Sequence, residues 1–350
     1  MSSGPFAVAA VAAAGIACGS TTAPVAVRPV AKAQAVIENA GPRGASPMIA
    51  TTATRAMIEA PHGAPITALA VTADGTAAIT ADETGGMRLW PKLDGTREPC
   101  VVDLPAPRSL VIAHHHDAFF VAWIDSANSL ALAELDDRGR TIRHGAIAQD
   151  ADFRGIAMTE LGLLAWRSDQ TIVLYDLDGV QIGRLGTEPG ERLVSVAANG
   201  TNAVAVVAMR AGSADGNVVR PVQLAPLAWA KPFEAGGGDP EGPIAISKSG
   251  KRIALVASHA DKKMELRIVE LTTGRLLASA MVDIALDVGF TDEDHVALGL
   301  ATGAGWLSVP KGGTATPTGT AAPGEQFATA DHVAVTAQGS ELQLAKLDGA

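Results

Sequence analysis

The sequence predicts an all-β fold, a seven-bladed β-propeller closed by pairing an N-terminal strand with the C-terminal blade. Three observations lead there. A unit of apolar strand, tight turn, apolar strand, polar loop and third strand recurs over residues 50–350. Its first strands recur at intervals of 39 to 51 residues, bracketing the roughly 40–45 residues of a four-stranded unit. The composition, with 37 Gly, 20 Pro and only 4% aromatics, suits many short strands with a core of Val, Ile, Leu and Ala better than long packed helices.

In chain order, residues 1–17 read as a signal peptide. Phe6 to Ala17 is a twelve-residue Ala/Val-rich run, too short for the roughly 20 residues of a spanning helix but suited to a signal core. It ends in Gly15-Ile16-Ala17-Cys18-Gly19, which resembles the lipobox of bacterial lipoproteins, although Gly15 stands where Leu is usual and no Lys or Arg precedes the run. The resemblance implies lipidation of Cys18, membrane contact only through that anchor, and a place in the cell envelope. Other export, or a cytoplasmic chain with an Ala-rich leader, are the alternatives these residues leave open. Residues 18–47, rich in Ala, Pro, Thr and Ser, read as a flexible tether. Residues 48–350 form the propeller.

Within it, residues 52–60 read as an orphan outer strand. The sharpest repeat follows: His62 to Val71, the turn Thr72-Ala73-Asp74-Gly75, Thr76 to Ala81, then Gly86-Met87-Arg88-Leu89-Trp90. First strands are placed near Ile66, Ser109, Phe153, Arg192, Pro243, Ile284 and Glu325. The fourth interval is lengthened by the Gly-containing insertions 211–217 and 235–242. Second strands are continuous apolar runs at 118–123, 161–166, 203–209 and 253–257, as strands covered on both faces require. Leu-Asp-Gly recurs at 93–95, 177–179 and 347–349, where a hairpin leads to an outer strand. After the last of these the C-terminal blade has three strands, so the strand at 52–60 is expected to complete it and remove two free edges.

The first repeat resembles a WD40 repeat, and Ser168 to Asp176, with Asp169 and Tyr175, resembles the ending of a second. That resemblance implies a structural network of His, Ser or Thr, Asp and Trp. His62, Thr80 and Trp90 match it, but the Asp position counted back from Trp90 falls on Thr84, so the network is expected to be incomplete.

Residues 1–18 carry no charged side chain and residues 19–47 carry Arg28, Lys32 and Arg43 against Glu38, a balance of +2, so with a formal total of −10 the propeller holds −12. An acidic body repels phosphate backbones, which argues against nucleic-acid partners. His114-His115-His116-Asp117 is the conspicuous polar cluster. Neighbours on a strand point to opposite faces, so at most two could meet on one ion, and the cluster reads as a solvated turn. Asp292-Glu293-Asp294-His295 reads the same way. Cys100, in an apolar strand, reads as a small buried thiol. No nucleophile elbow, Walker loop, zinc or calcium motif occurs, so neither catalysis nor a cofactor is expected. The function expected is a non-catalytic protein-interaction scaffold, with a small-ligand or glycan sensor or an enzyme using the central channel as alternatives. The candidate binding face comprises the loop residues Asp82, Arg108, Asp125, Asp169, Glu188, Arg192 and Asp239, on connections stiffened by proline.

Overall fold

Apolar runs punctuated by tight turns fold as short strands throughout, and among the described residues there is no helix. The computed structural model describes residues 28–29, 53–58, 62–149, 151–208, 218–234, 242–258, 264–282, 285–300, 303–308, 313–314, 316–321 and 326–347. Cys18, Asp239, the signal segment, the tether apart from Arg28–Pro29 and most of the two insertions lie outside them. Arg28–Pro29, read as flexible tether, instead pairs antiparallel with Ala56 and Met57.

The strands form small antiparallel sheets in a propeller arrangement. Six sheets are built on strands consecutive in the chain. The first runs Ile66–Val71, Ala78–Asp82, Met87–Trp90 and Cys100–Val102, and the others repeat that up-and-down order. A further sheet takes Gln326–Ala330, Val333–Gln338 and Glu341–Leu347 from the C-terminal end and Ala53–Ile58 from the N-terminal end. Ala53–Ile58 lies antiparallel on Glu341–Leu347, with Ala53 opposite Leu347 and Ile58 opposite Leu342. Gly313–Thr314 adds a parallel contact to the outer strand Leu276–Val282.

First strands begin at Ile66, Pro107, Phe153, Arg192, Ile244, Ala285 and Gln326, within two residues of the positions the repeat predicts. Second strands carry the core. In Ala118–Asp125 and Arg252–Ser258 every residue between the ends is buried, because each such strand is covered by a sheet on either side. Separate cores fill the gaps between neighbouring sheets. Trp123, Ile79 and Leu89 lie between the first and second sheets, and Phe153, Ile124 and Leu163 between the second and third. Ile66, Trp90, Val335 and Leu342 join the sheet of the two chain ends to the first. Full burial of each large side chain stabilises by about 1.5–3 kcal/mol, so the fold is held mainly by contacts between sheets. First strands pack on one another in chain order, and Gln326–Ala330 packs on Ile66–Val71.

Cys100 departs from expectation. It lies on the outer strand of its sheet beside Val101, which is 67% exposed, and is only half-buried. An outer strand has a neighbour on one edge alone, so an apolar sequence there does not secure burial.

Candidate functional site

Two features recur in the first strands and define the two ends of the assembly. One is a break in pairing near the strand start. Register shifts fall between Ile66 and Ala68, Pro107 and Ser109, Phe153 and Gly155, Leu193 and Ser195, and Ala285 and Asp287. Each leaves one extra residue as a β-bulge: Thr67, Arg108, Arg154, Val194 and Leu286. A bulge frees one residue from the ladder and re-aims its side chain. Thr67, Arg108, Arg154 and Leu286 are exposed and Val194 is half-buried, while the residues flanking Thr67 and Arg154 are buried. Leu286 is 63% exposed, a large apolar side chain held in solvent. Arg108 reaches the next first strand, donating through Nη2 to the carbonyl of Phe153 at 2.5 Å. Arg192 is exposed at the start of the following one.

The other feature lies towards the far end of the same strands. A cavity of about 610 Å³ is lined by residues of the described first strands, among them Val71, Val111, Met158, Ala198, Ile244 and Thr329. Its wall is mainly apolar, and its rim is made by turns that join first to second strands. Asp74, His114, His115, Glu160, Lys248, Asp292 and Asp331 reach it. Neighbouring turns are tied together there. Glu160 N–H donates to the carbonyl of Gly200 (2.9 Å) and His332 N–H to that of Thr291 (2.6 Å). Ser249 N–H donates to the Glu293 carboxylate (2.9 Å), and Lys248 pairs with Asp331 (2.6 Å). Asp292 holds His295 Nδ1 at 2.8 Å and lies 3.6 Å from His332 Nδ1. The segment Asp292–His295 is therefore a tie between turns, which corrects its reading as merely solvated. His114 to Asp117 is exposed as expected, with the His114 ring stacked on Phe119 at 4.6 Å. Burial would raise the Asp74 carboxyl, but donors from Thr72 and Thr76 outweigh it and hold it below its usual value.

The polar network beside the first sheet is complete, which corrects the expectation of a gap. Its acid is Asp82, two residues before Thr84. Trp90 Nε1 donates to Thr80 Oγ1 at 2.9 Å, and Thr80 Oγ1 meets His62 Nε2 at 2.7 Å. His62 Nδ1 lies 2.9 Å from Asp82 Oδ2. A carboxylate only accepts, so Nδ1 carries a proton, and in the neutral imidazole Nε2 accepts from the Thr80 hydroxyl. The other oxygen, Asp82 Oδ1, accepts from Thr84 N–H (3.0 Å), Thr84 Oγ1 (2.7 Å) and Gly86 N–H (2.8 Å). Burial opposes ionisation of Asp82, but Thr84, His62 and Gly86 outweigh it and bring the group down to about 2.

Asp82 is thus an interior residue, 6% exposed, and not part of an open loop face. Asp125 behaves similarly: its Oδ1 accepts from Ala127 N–H (2.8 Å) and Ser129 N–H (2.9 Å) and shapes its own turn. Asp169 accepts from Thr171 and pairs with Arg184 at 3.3 Å. Tyr175, at the position of Trp90 in its sheet, is buried, and burial pushes its phenol up. Glu188 is exposed, and its N–H donates to Glu191 Oε2 at 2.9 Å. Of the candidate face, the structure brings Arg108 and Arg192 to the strand-start end and places Asp82, Asp125 and Asp169 in loop scaffolding. The sequence reading missed Arg154 and Leu286, which only the register between first and second strands places on bulges. It also missed Arg220, which pairs with buried Glu191 at 2.5 Å and lies 5.6 Å over the Trp229 ring. Among the described residues no group of three or more His, Cys, Asp or Glu is placed to hold a metal ion.

Comparison with known proteins gives no matching family model and no matching curated protein.

Proposed function

We propose that this chain is a WD40-like propeller of seven blades, closed by its N-terminal strand, that works as a non-catalytic protein-interaction scaffold in the cell envelope. The observation that carries the reading is the row of bulges. Five first strands present an extra residue at the same end, and Thr67, Arg108, Arg154 and Leu286 project from rigid, paired backbone rather than from long loops. A fixed constellation of this kind limits the entropy lost on binding. Arg108 and Arg154 are of a residue type enriched at the buried centre of protein interfaces. Asp82, Asp125 and Asp169 support the same surface by holding the neighbouring loops in one shape. The place in the envelope rests on the residues around Cys18, and closure on the pairing of Ala53–Ile58 with Glu341–Leu347.

The test is charge reversal on the row. Arg108→Glu with Arg154→Glu is expected to abolish recovery of a specific protein partner from the membrane fraction while the melting temperature stays within a few degrees of the parent. Equal recovery with both variants present would overturn the assignment of this face. Intact mass of the membrane-derived protein tests the anchor: the expected species begins at Cys18 and carries lipid, and a soluble species retaining Met1 refutes it.

A further inference from the structure

The cavity at the opposite end has a chemistry that the scaffold reading does not use. Its volume, about 610 Å³, lies in the range of about 300–1,000 Å³ typical of small-molecule sites. The wall is built from Val71, Val111, Met158, Ile244 and neighbouring alanines, with Trp166 at its edge. The rim is anionic. Lys248, the cation among its lining residues, is committed to Asp331 at 2.6 Å. Asp74 takes its short contacts from threonine donors, and Asp292 from His295 and a backbone N–H. The exposed Glu160 carboxylate makes no hydrogen bond or ion pair among the described residues. An apolar chamber behind a net negative rim, on a protein of formal charge −10, selects by charge as well as by shape.

We propose that this cavity binds an organic cation, an amine or quaternary ammonium group carried on an apolar body, with the body in the chamber and the charge among Glu160, Asp74 and Asp292. Fixed turns frame the site: the ties from Glu160 to Gly200, Ser249 to Glu293 and His332 to Thr291 hold the rim in one arrangement before any ligand arrives.

The probes are phenethylamine, phenethyl alcohol and phenylacetate, which share an aromatic body and differ in charge. Binding to the full chain is followed by the NMR signal of the Trp166 indole N–H. The expected order of affinity is amine, alcohol, acid, with about tenfold or more between amine and acid at low salt. Glu160→Gln is expected to weaken the amine about threefold, leave the alcohol unchanged and leave the melting temperature unchanged, since this carboxylate is exposed and has no partner among the described residues. Ala157→Phe, which projects a ring from the wall into the chamber, is expected to abolish binding of all three. No response to the amine at any soluble concentration overturns the proposal. Equal affinity for the three probes, or an amine affinity that ignores Glu160→Gln, also overturns it, and these readouts stand whether or not Ala157→Phe folds.

Discussion

Replacing Thr80 by valine removes one hydroxyl from the buried network and almost nothing else. The two side chains have nearly the same shape, so no cavity opens and the packing of the second strand is retained. Two buried groups lose their partner: the Trp90 indole N–H, which donates to Thr80 Oγ1 at 2.9 Å, and His62 Nε2 at 2.7 Å. Thr80 is fully buried, and His62 and Trp90 are 7% and 1% exposed, so water cannot replace the hydroxyl without rearrangement. Leaving a buried polar group unsatisfied costs about 1–3 kcal/mol, which puts the total for the two at roughly 2–6 kcal/mol. The assay is equilibrium denaturation by guanidinium, comparing Thr80→Val with Thr80→Ser. Serine keeps the oxygen and loses one methyl group, and should cost about 1 kcal/mol. A double cycle with His62→Phe should show strong coupling, because the second change removes a group already orphaned by the first. A Thr80→Val protein within about 0.5 kcal/mol of the parent, the range of an ordinary surface change, would refute the reasoning. So would a serine variant as damaged as the valine one.

Other consequences are equally direct. Asp82 ionises at about 2 in the folded chain against 3.8 in the unfolded one, so its stabilisation of about 2 kcal/mol is complete above pH 4 and fades as pH falls towards 2. Asp82→Asn should flatten that part of an acid titration of stability. Asp287 has the opposite sign: burial, opposed by the Val288 N–H, lifts its carboxyl to about 6. Stability should therefore rise as pH falls from 6 towards 4, and Asp287→Asn should stabilise the protein at pH 7 by up to about 3 kcal/mol in thermal or chemical unfolding. His116 holds a positive φ of 54° at the first position of its two-residue turn, where Gly200 sits in another. His116→Gly should be neutral or stabilising by up to about 1 kcal/mol, and His116→Val destabilising by a similar amount or more, both read from melting curves. Deleting residues 1–46 should leave the unfolding transition nearly unchanged. Deleting 341–350 strips Ala53–Ile58 and Val333–Gln338 of their shared neighbour and should abolish cooperative unfolding.

The strand order was legible because it rests on local signals that repeat. Apolar second strands, Asp-Gly and Asn-Gly turns and the Trp90 ending each follow from residues close in sequence, and first strands fell within two residues of their predicted starts. The pairing of 53–58 with 341–347 was legible by elimination, since each strand would otherwise have left an open edge. Asp82 was misplaced because a fixed spacing back from Trp90 assumes a loop of fixed length. The loop instead wraps its Thr84 and Gly86 amides round the carboxylate, and the acid sits at the loop's start. The bulges were hidden for a different reason: a bulge exists only in the register between two strands, and the identity of Thr67, Arg154 or Leu286 does not announce it. The cavity rim was hidden because Glu160, Lys248, Asp292 and Asp331 come from four different sheets, and only the packing of first strand on first strand brings them to one cavity.

The most direct measurement of the central claim is site-specific photo-crosslinking in the cells that make the protein. The crosslinker is placed in turn at Arg154, at Leu286 and, as a control, at Ile182, which is 53% exposed on an outer strand. Adducts with one and the same protein from positions 154 and 286, and none from 182, are the predicted result. Adducts from 182 alone, or none from either bulge position, would contradict the assignment of the strand-start face as the binding surface.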